Sequence, residues 1–178
     1  IYDAERCGNL LAFVAERSVS LLRKTGRLGL ILLVSTFSTE RMRPIQDSLL
    51  KGCAECWVSN FAWRPSKLFV GVSTINAILL SVKSPRLGQS QIFSTNYIKW
   101  NSEERNTLFQ LLSYGDASPF CIPGAFPKVH CEVEASILSK ISAQSSSLYR
   151  AFNGTDEGNK LYYFRGMLYW IKVLDRLP

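Results

Sequence analysis

"NLLAFVAERSVSLLRKTGRLGLIL", residues 9–32, holds a helix, a stop and a strand in immediate succession. Asn9 offers a side-chain oxygen to the first free backbone N–H groups of a helix. Leu10, Phe13, Val14, Leu21 and Leu22 fall largely on one stripe at helical spacing, which predicts that this stripe faces a core. Lys24-Thr25-Gly26 ends the helix, with Gly26 suited to a left-handed cap. Arg27 to Val34 is apolar almost without interruption and reads as a strand buried on both faces, as in a parallel sheet flanked by helices. Such a unit belongs inside a sheet, yet only eight residues precede Asn9 and the first is Ile1 rather than Met. The expectation is that earlier strands of the sheet are supplied by something other than this chain.

Downstream, Ser35 to Thr39 reads as a loop at the strand's carboxyl end. It leads into a helix running to about Lys51, with Pro44 in its first turn and a start near Arg41. Cys56 to Phe61 is a second strand. "AWRPSKLFVGV", residues 62–72, is a loop punctuated by Pro65 and Gly71. Ile75 to Val82 and Gln91 to Tyr97 are further strands. Asn101 or Ser102 caps a helix with Glu104 near its start, extending to about Leu112. "YGDASPFCIPGAFPK", residues 114–128, is rich in proline and glycine and reads as an ordered connector. A helix from Glu132 to Ile141 follows, then a serine-rich stretch. "KLYYFRGMLYWIKVL", residues 160–174, has the pattern of a hairpin turning at Arg165-Gly166.

The chain has 178 residues, 47% hydrophobic and 20% charged, which describes a globular protein of one domain or slightly more. A net charge of +7 suits a polyanionic partner, although scattered basic residues also serve solubility alone. The longest apolar run, Leu28 to Val34, is far shorter than the ~20 residues of a membrane span. Five cysteines, an odd number without a dense framework, fit a reducing cytoplasm.

Few residues carry obvious chemistry. Cys53-x-x-Cys56 could join Cys121, His130 or Cys131 around zinc, but a second ligand pair at ordinary spacing is missing. Cys56 also opens a buried strand, where cysteine acts as a small hydrophobe. His130 is the only histidine, and no nucleophile elbow, Walker loop, glycine-rich dinucleotide motif or paired-carboxylate motif accompanies it. Residues 61–72 bring Trp63, Arg64, Lys67 and Phe69 together. Aromatics among cations suit base stacking and phosphate pairing. The bland alternative is that Leu68 and Phe69 plug the core while Arg64 and Lys67 are solvated.

The order of the pieces resembles the later half of a gamma-type, adenine-specific (amino) DNA methyltransferase, including the methylase portions of type II restriction-modification proteins. The resemblance rests on "NLLAFVAERSVSLLRKTG", "RLGLILLVS", "WVSNF", "RPSKLFVGV" and "INAILLSVK" in that order, with "STNYIKWNSEERNTLFQLL" similar to the passage into target recognition. It implies an α/β fold: a partial Rossmann-like methyltransferase sheet, later strands only, over residues 1–100. A connector and a small α+β target-recognition-like region follow over residues 101–178. The strand from Arg27 would be the family's fifth, and those at Trp57 and Ile75 the sixth and seventh, the last antiparallel. Phe69 matches the aromatic residue that stacks on the extruded adenine, and Arg64 and Lys67 would touch DNA. Leu33 departs from the family, which carries proline there. The family's Asn-Pro-Pro-Tyr motif and its glycine loop for S-adenosylmethionine have no counterpart here. The resemblance therefore implies no catalytic, cofactor-binding or metal residue in this chain, no transferase activity alone, and weak DNA binding at most. It also implies a homo-oligomer or a partner chain supplying the other half. The rival reading is a non-enzymatic interaction module on a degenerate methyltransferase scaffold, recruiting partners through an exposed sheet edge.

Overall fold

The computed structural model describes residues 3–84 and 90–144; the hairpin expected over 160–174 lies outside the described residues. Helix α1 spans Leu10–Leu21, and the Asn9 side chain accepts the Leu11 N–H at 2.9 Å as its cap. The helix stops short of Lys24. Thr25, at φ 60°, takes the left-handed conformation expected of Gly26. Gly26 is required for space instead, since a Cβ there would lie 2.8 Å from the Arg23 carbonyl oxygen.

The face that α1 buries is not the one its large residues predict. Leu10 is 77% exposed, Val14 53% and Leu21 67%, whereas Ala12, Ala15 and Val19 are buried. The small residues win because the neighbouring helix comes very close. A Cβ on Gly52, at that helix's end, would meet Val19 Cγ1 at 2.7 Å. That neighbour is α2, Arg43–Gly52, with Pro44 in its first turn and Ile45, Gln46 and Leu49 buried. Gln46 satisfies its buried amide by donating to the Thr36 carbonyl at 2.9 Å.

The described strands are β1 (Arg27–Leu33), β2 (Cys53–Phe61), β3 (Asn76–Lys83), β4 (Gln91–Ile98) and the short β5 (Gly115–Asp116), in the order β1-β3-β2-β4-β5. β3 runs antiparallel between β1 and β2, while β2 and β4 are parallel. The antiparallel course expected for the strand near Ile75 is therefore present. β1, β2 and β4 all run the same way, so their carboxyl ends share one edge of the sheet. The fold is mixed α/β.

One sheet face carries Leu28, Leu30, Leu32, Ala77, Leu79, Cys56, Val58 and Ile92 into the main core with α1 and α2. The other face corrects the expectation that β1 is covered on both sides. Ile31 is 52% exposed and Leu80 49%, and neither has a layer packed over it among the described residues. Among the described residues, cover exists near the carboxyl ends, where Phe61, Trp100 and Leu108 form a second cluster with Leu68 and Ile78. The helix expected from residue 101 is instead two 3₁₀ turns, Ser102–Asn106 and Leu108–Leu111. Its start follows the sequence, with the Asn101 N–H donating to Glu104 Oε2 at 2.7 Å. Thr107, at φ −107° and ψ −1°, interrupts the run and lets Leu108 reach the second cluster.

Residues 114–129 are bound onto β4. Ser94 Oγ donates to the Pro127 carbonyl at 2.6 Å and accepts the Val129 N–H at 2.8 Å. Gly115 has no room for a side chain, because a Cβ would lie 2.9 Å from Val129 Cγ1. Helix α3, Glu132–Ser142, closes a compact unit that ends at Ser142.

Candidate nucleic-acid interface

In an open α/β sheet, ligand sites form beyond the carboxyl ends of the parallel strands. Here that edge is formed by Leu33-Val34, Phe61-Ala62 and Ile98-Lys99, and the connection from β2 to β3 projects from it. This connection turns at a cis Arg64–Pro65 peptide bond. Leu68 is its anchor, packed into the second cluster. Phe69 is not the core plug: it is 40% exposed, followed by Val70 at 95%.

The loop's cations gather on one ring. The Arg64 guanidinium lies 5.2 Å and Lys67 Nζ 4.9 Å from the Trp63 ring centre, within reach of cation–π attraction. Trp63, Arg64, Pro65, Lys67 and Lys99 line a shallow cleft. The loop's base is clamped from the side by Arg105, which donates to the carbonyls of Lys67 and Leu68 at 2.9 and 3.1 Å. Arg105 also lies 4.9 Å from the Trp100 ring centre. The sequence reading overlooked Lys99 and Arg105, whose separation from the loop in the chain hides them; only the parallel pairing of β4 with β2 brings them near. A second cleft on the same edge is lined by Leu33, Val34, Ser35, Ser38, Thr74, Ile75, Tyr97 and Lys128. Burial pushes the Lys128 ammonium below its ordinary range and the Tyr97 phenol above it.

Cysteines and the histidine form two separate groups. Cys53 and Cys56 are 1% and 0% exposed, and their thiols share a hydrogen bond. That bond, then burial, pushes the Cys56 thiol up. Cys121 is near enough to act on Cys56 electrostatically. His130 and Cys131 do not join them; they group with Glu134. The Glu134 carboxyl is held below its ordinary range, first by the His130 backbone N–H. Sequence reasoning did not single out Glu134, although His130-x-x-x-Glu134 is one helical turn.

No known protein family matches the sequence, and no curated protein matches it. Two solved structures are similar in part. One is a nuclease-deletion mutant of the Type ISP restriction-modification enzyme LlaGI in complex with a DNA substrate mimic. It aligns with 71% of this chain at 13% identity and a TM-score of 0.50. The other is the ATP-dependent Type ISP restriction-modification enzyme LlaBIII bound to DNA, aligned with 46% of this chain at 19% identity and a TM-score of 0.36. This chain spans 11% and 6% of those chains. The LlaGI likeness speaks to the fold, and the LlaBIII alignment is too loose to carry an argument. No described helix is long and apolar enough to cross a membrane.

Proposed function

We propose that this chain is the later part of an adenine-specific DNA methyltransferase of a restriction-modification system, and that it contributes DNA contact and target-base stacking rather than methyl transfer. One observation carries the reading. The β2–β3 connection sets an exposed aromatic, Phe69, and a cation cluster, Arg64, Lys67 and Lys99, at the carboxyl edge of a mixed sheet. The partial fold likeness to LlaGI agrees with it. In this reading Phe69 lies against the face of an adenine taken out of the duplex, and Arg64, Lys67 and Lys99 neutralise phosphates beside it.

S-adenosylmethionine, the family's methyl donor, needs a glycine turn after one strand and an acidic residue after the next. The carboxyl ends of β1, β2 and β4 continue as Val34-Ser35, Ala62-Trp63 and Lys99-Trp100, which supply neither. These residues do not fit the cofactor. The test is fluorescence anisotropy with a short duplex at increasing salt. Binding in the micromolar range or weaker, falling with salt and tightened by a mismatched adenine, is expected. Absence of binding at low salt would refute the reading.

The exposed Ile31 and Leu80 and the outer edge of β1, which pairs with no strand among the described residues, favour a second reading, an interaction module that recruits another chain. Light scattering separates the two: concentration-dependent association without salt-sensitive DNA binding belongs to the module.

A further inference from the structure

We propose that His130, Cys131 and Glu134 form a zinc-class metal site at the start of α3. One ligand atom from each lies within 4.8 Å of the other two. The group is built by the backbone rather than gathered by chance of exposed rotamers. The His130 N–H donates to Glu134 Oε2 at 2.9 Å, and its carbonyl accepts from Ser113 Oγ at 3.0 Å. His130 is thus fixed from both sides, and Glu134 is drawn back toward it from the first turn of α3.

The second observation concerns the ring. His130 Nδ1 is shielded from solvent and lies 2.8 Å from Glu134 Oε2. A plain ion pair explains that proximity but gives Cys131 no part. A metal uses all three. Nitrogen, thiolate and carboxylate together are the donor set of zinc and its borderline neighbours rather than of calcium or magnesium. Zinc at ~2.1 Å from nitrogen and oxygen in a tetrahedron holds them ~3.4 Å apart. The observed 2.8 Å has to open by only about half an ångström, within the reach of side chains about one-third exposed. Three protein ligands leave the fourth position to water.

The experiment is a titration of the full chain with Co²⁺, read by the thiolate-to-cobalt absorption band, followed by displacement with Zn²⁺. One Co²⁺ per chain, with the band present, is expected. Cys131→Ser removes the band, and His130→Gln or Glu134→Gln weakens binding more than about tenfold. The paired change Cys53→Ser with Cys56→Ser leaves the band in place. A band that survives Cys131→Ser, a band lost with the Cys53 and Cys56 pair, or no stoichiometric binding overturns the proposal. Because the three ligands are partly exposed, melting curves of the variants are expected to match the parent, so loss of the band reports on the site.

Discussion

Truncating Phe69 to alanine separates packing from recognition at one position. With 40% of the residue exposed, about three-fifths of its burial is at stake. Full burial of such a side chain is worth about 1.5–3 kcal/mol, so Phe69→Ala is expected to cost about 1–2 kcal/mol of stability. For a chain of this size that lowers the melting temperature by only a few degrees, about 2–8 °C. Base–aromatic stacking is worth about 1–3 kcal/mol, so the same change is expected to weaken binding to a duplex with a mismatched adenine by about 5- to 150-fold. A fully paired duplex, held mainly through phosphates, loses much less. The measurements are a thermal melt and anisotropy at one fixed salt concentration. A loss near the 3–5 kcal/mol of a buried phenylalanine, with affinity for the mismatched duplex unchanged, would refute the stacking role and return Phe69 to the core.

Replacing Arg64 and Lys67 together with alanine is expected to flatten the salt dependence of DNA binding by up to ~2 in slope, whatever the sequence of the duplex. Ile31→Lys combined with Leu80→Lys places charge on the open sheet face and is expected to abolish any self-association seen by light scattering, with a melting temperature within a few degrees of the parent. Calorimetry with S-adenosylmethionine is expected to give no saturable heat; a stoichiometric micromolar complex would contradict the assignment of cofactor binding to another half.

Elements whose signals are local were legible in the sequence. The Asn9 cap, the strand from Arg27, Pro44 in the first turn of α2 and the start of α3 at Glu132 each depend on neighbouring residues only. Burial was less legible, because it depends on what lies opposite. The α1 stripe of Leu10, Val14 and Leu21 is apolar enough for a core, yet the approach of Gly52 to Val19 selects the small-residue face. Likewise the run from Leu28 to Val34 says that both faces of β1 are apolar, not that both are covered. At the candidate site, Trp63, Arg64, Lys67 and Phe69 were visible because they lie within one seven-residue stretch. Lys99, Arg105 and the His130–Glu134 pairing depend on strand pairing and on a helix's first turn, and single-residue patterns do not encode them.

The departure at Leu33 bears on how β1 is used. Antiparallel partners alternate between pairs that exchange hydrogen bonds and pairs that do not. The Lys83 N–H donates to the Gly26 carbonyl, and the Val34 N–H donates to the Ile75 carbonyl. With the register that joins Leu28 to Ser81 and Leu32 to Ala77, the even-numbered residues of β1 face β3 with their N–H groups. The N–H groups of Gly29, Ile31 and Leu33 then point to the outer edge, where no strand pairs with β1 among the described residues. Leu33 also sits at φ −73° and ψ 142°, inside the range that a prolyl ring fixes. Proline at this position therefore removes no bond to β3 and meets no backbone strain, while Leu32 before it is already extended, as a residue preceding proline must be. The unfolded chain loses freedom worth about 0.4–1 kcal/mol, which offsets part of the packing lost from a half-buried leucine. Leu33→Pro is expected to change stability by no more than about 1 kcal/mol in urea denaturation. Leu32→Pro, which breaks a ladder bond and empties a core position, is expected to cost about 3 kcal/mol or more. If Leu33→Pro proves as damaging as Leu32→Pro, the assignment of outward-facing N–H groups on β1 is wrong, and with it the proposal that a further strand adds at this edge.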